Sequence, residues 1–223
     1  MPKAKRNRIV TLSKLSGRGI SRDVKGKVIE RVRQLLDDFP RIYVFRVENM
    51  RTTAMTALRA ELRADTRFFL GRNKVMQVAV GKDPASEHLS GSSELGPFLK
   101  TGNGVFGTTK EHKDVLEYFS GFEAPEFARS GFVANTEIIL SPGHLANFEP
   151  NQENELRSLG LPVSLMRGKV MLNEEFVVCK IGDTLTPEKA KIAKLLGIPM
   201  AHFRIELIAM WEKETGSVLE IEA

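Results

Sequence analysis

The chain has 223 residues, of which 42% are hydrophobic and 27% charged, with a formal net charge of +5. That balance describes a folded core rather than a disordered tail, and no run approaches the roughly 18 apolar residues of a membrane span. One cysteine, Cys179, excludes an internal disulfide framework and a multi-cysteine zinc site; a lone reduced thiol and the lack of a secretory signal fit an intracellular protein.

Residues 1–20 are basic, rich in Ser, Gly and Asn, and read as an extended arm that orders on a partner. The arm opens a charge asymmetry. Up to Lys82 there are 20 Lys+Arg against 7 Asp+Glu, a balance of +13, and from Asp83 onward 13 against 21, a balance of −8. Such a dipole steers its basic part toward a polyanion, and nucleic acid is the first candidate. No amphipathic segment carries the Trp or Phe of a membrane-lying helix.

Ser21 is a good N-cap, and Val24, Val28, Val32, Leu35, Leu36 and Phe39 recur at helical spacing up to Pro40. Ile42 to Val47 reads as a strand, and a second helix starts near Met50 with Ala54, Leu58 and Leu62 on one face. Arg67 to Leu70 is a short strand closed by Gly71, and a third helix starts near Asn73. A weak stretch, Gly81 to Gly96, has a helix in its second half. Val105 to Gly107 is a strand, after which Thr109 caps a helix carrying Val115, Leu116 and Phe119. This alternation predicts an α/β sandwich layer with a largely parallel sheet.

After Gly121, prolines and glycines punctuate short β-like runs such as Thr136 to Leu140. A short helix runs from Glu153 to Leu159, and strands follow around 169–172 and 176–180. Thr186-Pro187 starts a helix that stops at Gly197, and Phe203 to Trp211 alternates as a strand. The expected organisation is a core of residues 21–125 with 200–223, into which a small α+β domain of residues 126–199 is inserted.

For catalysis the sequence is poor. His88, His112, His144 and His202 lie far apart, and GxSxG, Walker A and HExxH motifs are absent. Cys179 sits in a predicted strand and reads as a small core residue rather than a nucleophile. No enzyme, cofactor or metal site is expected. Polyanion binding is better supported. Two strand-to-helix turns carry basic residues: Asn49-Met50-Arg51-Thr52-Thr53, and Arg72-Asn73-Lys74 after Gly71. A cation at the positive end of a helix dipole is a misfit of about 0.3–1 kcal/mol, relieved when an anion binds there. If the strands run parallel, both turns emerge at one sheet edge and can follow one phosphate backbone. Asn49, Thr52, Thr53 and Asn73 add neutral groups for sugars or base edges. With only 2 Tyr and 1 Trp, the chain lacks the stacking surface of a single-strand reader and fits the shape and phosphates of folded RNA.

Val47-Glu48-Asn49-Met50, Phe69-Leu70-Gly71-Arg72-Asn73-Lys74-Val75-Met76 and Arg167-Gly168-Lys169-Val170 resemble the ribosomal stalk-base family, called L-ten in bacteria and P-zero in archaea and eukaryotes. The start Met1 to Arg6, Leu159 to Pro162 and Gly182 to Glu188 bring the chain nearer to a nuclear branch of that family, ribosome assembly factors of eukaryotes. The resemblance implies a core that binds the GTPase-associated region of large-subunit rRNA, and an inserted small domain. It further implies a placeholder for the stalk-base protein on nucleolar and nuclear large-subunit precursors, shuttling with them to the cytoplasm. An L-eleven-type protein would be its neighbour and a phosphatase-type factor its release partner. Asn49, Arg51, Arg72, Asn73 and Lys74 carry over as RNA contacts by motif. Thr52 and Thr53 join them as neutral donors, and Lys3, Lys5, Arg6, Arg8, Lys14 and Arg18 on charge. Because the sequence stops at Ala223, soon after Trp211, no docking site for stalk dimers is expected. A mature stalk-base protein is the alternative reading.

Overall fold

The computed structural model describes residues 22–100 and 102–221; Lys3, Lys5, Arg6, Arg8, Lys14 and Arg18 lie outside the described residues. Helix α1 (Arg22–Asp38) stops two residues short of Pro40, whose ring disfavours helical backbone before it. Its buried stripe is Val32, Leu35 and Leu36, flanked by the partly buried Ile29. Val24, expected on that stripe, is 47% exposed. Strand β1 (Arg41–Glu48), helix α2 (Thr52–Glu61), strand β2 (Thr66–Phe69) and helix α3 (Asn73–Val80) follow in the expected order. The weak stretch after α3 yields a 3-10 segment, Ser92–Phe98, in place of an α-helix. Strand β3 (Asn103–Thr108) is buried along its whole length. Helix α4 (His112–Gly121) begins three residues after Thr109, which is not its cap; the Thr109 N–H donates to the Asp65 carbonyl at 3.1 Å.

Strand β4 (Ala124–Glu126) leads into short elements: β5 (Ile138–Leu140), β6 (Gly143–His144), α5 (Glu153–Ser158), β7 (Val163–Met166), β8 (Lys169–Leu172) and β9 (Phe176–Cys179). Helix α6 (Pro187–Leu195) has Thr186 as N-cap, its hydroxyl accepting from the Lys189 N–H at 3.3 Å. The long strand β10 (Ala201–Glu212) and β11 (Val218–Glu220) complete the described chain.

Two compact units emerge. The first holds residues up to Arg46, then Leu62–Glu111 and the chain from Leu207 on; the second holds Val47–Glu61 and His112–Glu206. The first unit is built on a sheet with strand order β11-β10-β1-β3-β2. Here the expectation of a largely parallel sheet is corrected. β1 pairs antiparallel with β3 from Arg41↔Thr108 to Arg46↔Asn103, β2 pairs antiparallel with β3 from Thr66↔Thr108 to Phe69↔Val105, and β10 pairs antiparallel with β11. The β1–α2–β2 segment does set β1 and β2 in the same direction, but a gap is left between them. β3, arriving later in the chain, fills it in the opposite sense. Glycines admit it: a Cβ on Gly107 would lie 2.6 Å from the Phe39 ring, and one on Gly104 would lie 2.8 Å from the Phe45 ring. The buried hydroxyls of Thr66 and Thr108, 3.0 Å apart, bond across the start of β2.

One face of this sheet carries Ile42, Val44, Val105, Ala209 and Trp211, packed with Leu36 of α1, Met76 and Ala79 of α3, and Leu95 and Leu99. The other carries an aromatic cluster in which Tyr43 stacks on Phe106 at 5.0 Å and Phe68 meets Phe45 edge-on at 5.7 Å. The Trp211 Nε1–H donates to the Ser90 carbonyl at 3.2 Å, so the ring is buried without stranding its polar atom.

In the second unit, the first residues of β10 pair with β4 (Ala201↔Glu126 to Phe203↔Ala124). The smaller elements pack a core of Leu156, Val163, Val170, Leu172, Val178, Cys179 and Ile192. β8 and β9 do not form a hairpin with each other: β8 pairs with β7 and β6, and β9 with β5. β7 has no counterpart in the sequence reading. Its hairpin to β8 turns at Arg167 (φ 52°) and Gly168 (φ 74°), which places the Arg167-Gly168-Lys169 motif at a hairpin tip.

Gly107→Ala should cost roughly 1–3 kcal/mol by overpacking against Phe39. Gly26→Ala, in α1 with nothing within 4 Å of the added Cβ, should instead stabilise by about 0.5–1 kcal/mol. Urea unfolding at constant m-value separates the two. Both tyrosines titrate late: burial pushes Tyr43 up to about 12, and burial together with a 2.9 Å bond to Glu61 pushes Tyr118 up to about 12. A raised phenol pKa means that the native state holds its proton more tightly. Stability should therefore be full below pH about 10 and decline between about 10 and 12. Absorbance at the phenolate band should show no native tyrosine ionising before that window.

Candidate nucleic-acid interface

The turn from β2 into α3 is held by one side chain. The Asn73 amide, Nδ2, donates to the Lys100 carbonyl and, at 3.2 Å, to the Asn103 carbonyl, tying the first turn of α3 to the approach of β3. One turn on, Gln77 Nε2 donates to the Gly96 and Leu99 carbonyls at 3.2 and 3.0 Å. The N-cap is Arg72, in extended backbone, with no side-chain bond to the free N–H groups, and the first turn has no acidic residue. Arg72 and Lys74 are exposed and have no hydrogen-bond or ion-pair partner among the described residues. An uncapped positive helix end therefore coincides with two unneutralised cations, an arrangement that an anion relieves.

α3 also forms one wall of a groove of about 540 Å³ whose other wall is α1. Lys25, Lys74 and Lys82 line it above Ile29, Val75 and Val78, and no carboxylate does. Lys25 and Lys82 were not singled out in the sequence. The available signal was spacing: Lys25 stands four residues before Ile29, in line with the buried stripe, and Lys82 stands four after Val78.

The turn after β1 is built differently. Asn49 adopts the left-handed conformation (φ 49°), which Asn tolerates better than most residues, and its Nδ2 donates to the His202 carbonyl at 2.9 Å. Arg51 Nη2 donates to the Phe127 carbonyl at 2.7 Å, and its Nε lies 3.4 Å from Glu126. Arg129 donates to the Met50 carbonyl at 3.0 Å. The amide of Asn49 and the guanidinium of Arg51 are thus engaged within the second unit. Thr52 and Thr53 stand exposed on the first turn of α2. Arg72, Asn73 and Lys74 belong to the first unit and are brought together with Lys25 and Lys82; Asn49, Arg51, Thr52 and Thr53 belong to the second.

Cys179 is fully buried, with Sγ 3.6 Å from the Thr136 carbonyl, and burial pushes its thiol above the usual range, which disfavours the thiolate a nucleophile needs. Among the described residues no group of three His, Cys, Asp or Glu side chains is placed to hold a metal, and no buried side-chain nitrogen or oxygen lacks a partner.

Comparison with known proteins supplies a family. Residues 21–124 match the family model described as ribosomal protein L10, and residues 128–198 match one described as the insertion domain in the 60S ribosomal protein of the same family. A protein of Neurospora crassa named ribosome assembly factor mrt4 is 30% identical over 240 residues, covering 100% of this chain and 94% of its own. The Dictyostelium discoideum protein of the same name is 30% identical over 223 residues, covering 100% and 99%. Large ribosomal subunit protein uL10 of Thermococcus sibiricus is 26% identical over 195 residues, covering 84% of this chain and 56% of that one.

Asn73→Ala should release the start of α3 and lower stability by about 1–2 kcal/mol. Arg72→Ala and Lys74→Ala should each stay within about 0.5 kcal/mol of the parent. Thermal unfolding of the three variants checks this difference in kind between neighbouring residues.

Proposed function

We propose, for a chain that belongs to the Mrt4 group of the ribosomal protein L10 family, that it is a ribosome assembly factor and works by binding rather than catalysis. The observation that carries this reading is similarity along the whole length to proteins named assembly factors, against partial coverage of the uL10 protein. The chain binds the GTPase-associated region of large-subunit rRNA in nucleolar and nuclear precursors and holds the place of the stalk-base protein until late maturation. The rRNA-binding core is residues 21–125 with 200–223, and residues 126–199 are inserted into it. Its neighbour in the particle is an L-eleven-type protein, and a phosphatase-type factor promotes its release.

Arg72 and Lys74 support the reading physically. They are cations without partners among the described residues, at a helix end that favours anions, on a turn whose geometry is held from within by Asn73. Asn49 and Arg51 serve the interface by shaping their turn, with Thr52 and Thr53 as neutral donors beside it, and the arm residues Lys3, Lys5, Arg6, Arg8, Lys14 and Arg18 add phosphate contacts.

Binding to a folded GTPase-associated rRNA fragment should weaken steeply with salt. Arg72→Ala with Lys74→Ala should lower the log–log salt slope by about two, and an unchanged slope would remove these residues from the interface. Sedimentation tests the assignment to assembly: the protein should travel with large-subunit precursors and be scarce on translating ribosomes, and enrichment on the latter would point to a mature stalk-base protein instead.

A further inference from the structure

The groove between α1 and α3 is not explained by folding. Val32 and Leu36 of α1 and Met76 and Ala79 of α3 belong to one buried core, and Arg33 Nε donates to the Ala79 carbonyl at 3.4 Å, so the two helices are clamped side by side. Continue the inner stripe of α1 from Leu36 and Val32 toward its start and the residues are Ile29 and then Lys25, all four within an arc of about 60° on the helix. At the place where a further apolar residue would extend the seam there is an ammonium. Across the groove stands Lys74, with Lys82 just past the helix end. None of these three lysines has a hydrogen-bond or ion-pair partner among the described residues. The clamp thus holds three like charges around one concavity with no carboxylate lining it. Their mutual repulsion is a standing cost that a bound anion converts into attraction.

We propose that this groove is an RNA-binding groove, in which Lys25, Lys74 and Lys82 take successive phosphates of one strand while Ile29, Val75 and Val78 receive its sugar edges. The assignment rests on the rRNA-binding reading above and extends it along α1. Three features single out RNA. Lys74 is common to the groove and the Arg72–Lys74 turn, so a backbone bound at one continues into the other. The floor is open, with Val78 40% exposed, as a ribose and backbone require. The chain up to Lys82 is strongly basic, whereas an acidic protein segment would need only a local patch. The groove's aliphatic lining offers no ring for base stacking, so its contribution should be insensitive to sequence.

The test uses the full chain and a folded GTPase-associated rRNA fragment over a salt series. The variants are Lys25→Ala with Lys82→Ala, its Arg counterpart K25R/K82R, and Val78→Asp, each checked for parental thermal unfolding. The alanine pair should bind at least tenfold more weakly at moderate salt, with the log–log slope lower by about two. The arginine pair should restore the slope, and Val78→Asp should weaken binding without altering the contacts of Arg72. If the alanine pair keeps the parental affinity and slope while R72A/K74A loses its share, the groove is off the RNA path and the inference fails, with the rRNA reading left standing. If the parent itself does not bind the fragment, the reading fails and takes the inference with it. If the alanine pair binds the fragment normally but no longer enters precursor particles, the groove holds an acidic protein segment, and the proposal of RNA is overturned.

Discussion

The clamp between α1 and α3 is the contact on which the basic surface of the first unit depends. Leu36, Met76 and Ala79 are fully excluded from water, and each large apolar side chain so buried contributes on the order of 1.5–3 kcal/mol. The helices have no freedom to part and let their lysines relax into solvent. Lys25 and Lys74 face one groove because the residues one and two turns deeper leave the backbones no alternative. Close packing therefore has an electrostatic result: it concentrates charge that separated helices would disperse.

Within that frame, polar residues in the strand-to-helix turns divide into two kinds. Asn49, Arg51 and Asn73 commit hydrogen-bonding groups to carbonyls of the same unit: His202, Phe127, and Lys100 with Asn103. Arg72 and Lys74 commit none among the described residues. A surface that binds a polyanion benefits from both. The internal bonds remove the entropy cost of ordering the turn at the moment of binding, and the unpaired cations provide the attraction. Arg51 also keeps Glu126 3.4 Å from its Nε, which reduces what its charge can offer to an outside anion.

The second unit follows another logic. Its core joins short strands from two small sheets, and α6 begins with a hydroxyl cap and Pro187 at its first position. Cys179 lies in that core as a small apolar residue with a raised thiol pKa. The β7–β8 hairpin overhangs it: Leu165, in register with Val170 and on the same face as Val163, remains half exposed near the Arg167 turn.

Much of this was legible in the chain before any coordinates, wherever the cause is local. Helical spacing located α1 and α3, β-branched and aromatic runs located β1 and the alternation of β10, and Thr186-Pro187 marked the start of α6. The charge asymmetry and the Gly71-to-Met76 segment pointed to an anion site and to the family for the same reason, since both are properties of residues near one another in sequence. Three things depended on distant segments and stayed hidden. The strand between β1 and β2 is β3, which comes about 35 residues after β2 begins, so the sheet is antiparallel where alternation of strand and helix implied parallel. Asn49 and Asn73 find their acceptors 153 and 27 residues away, so their internal role could not be separated from an external one by type alone. Lys25 and Lys74 become neighbours only because Leu36 and Met76 pack together. Periodicity says which face of a helix is apolar, but it does not say which other helix that face will meet.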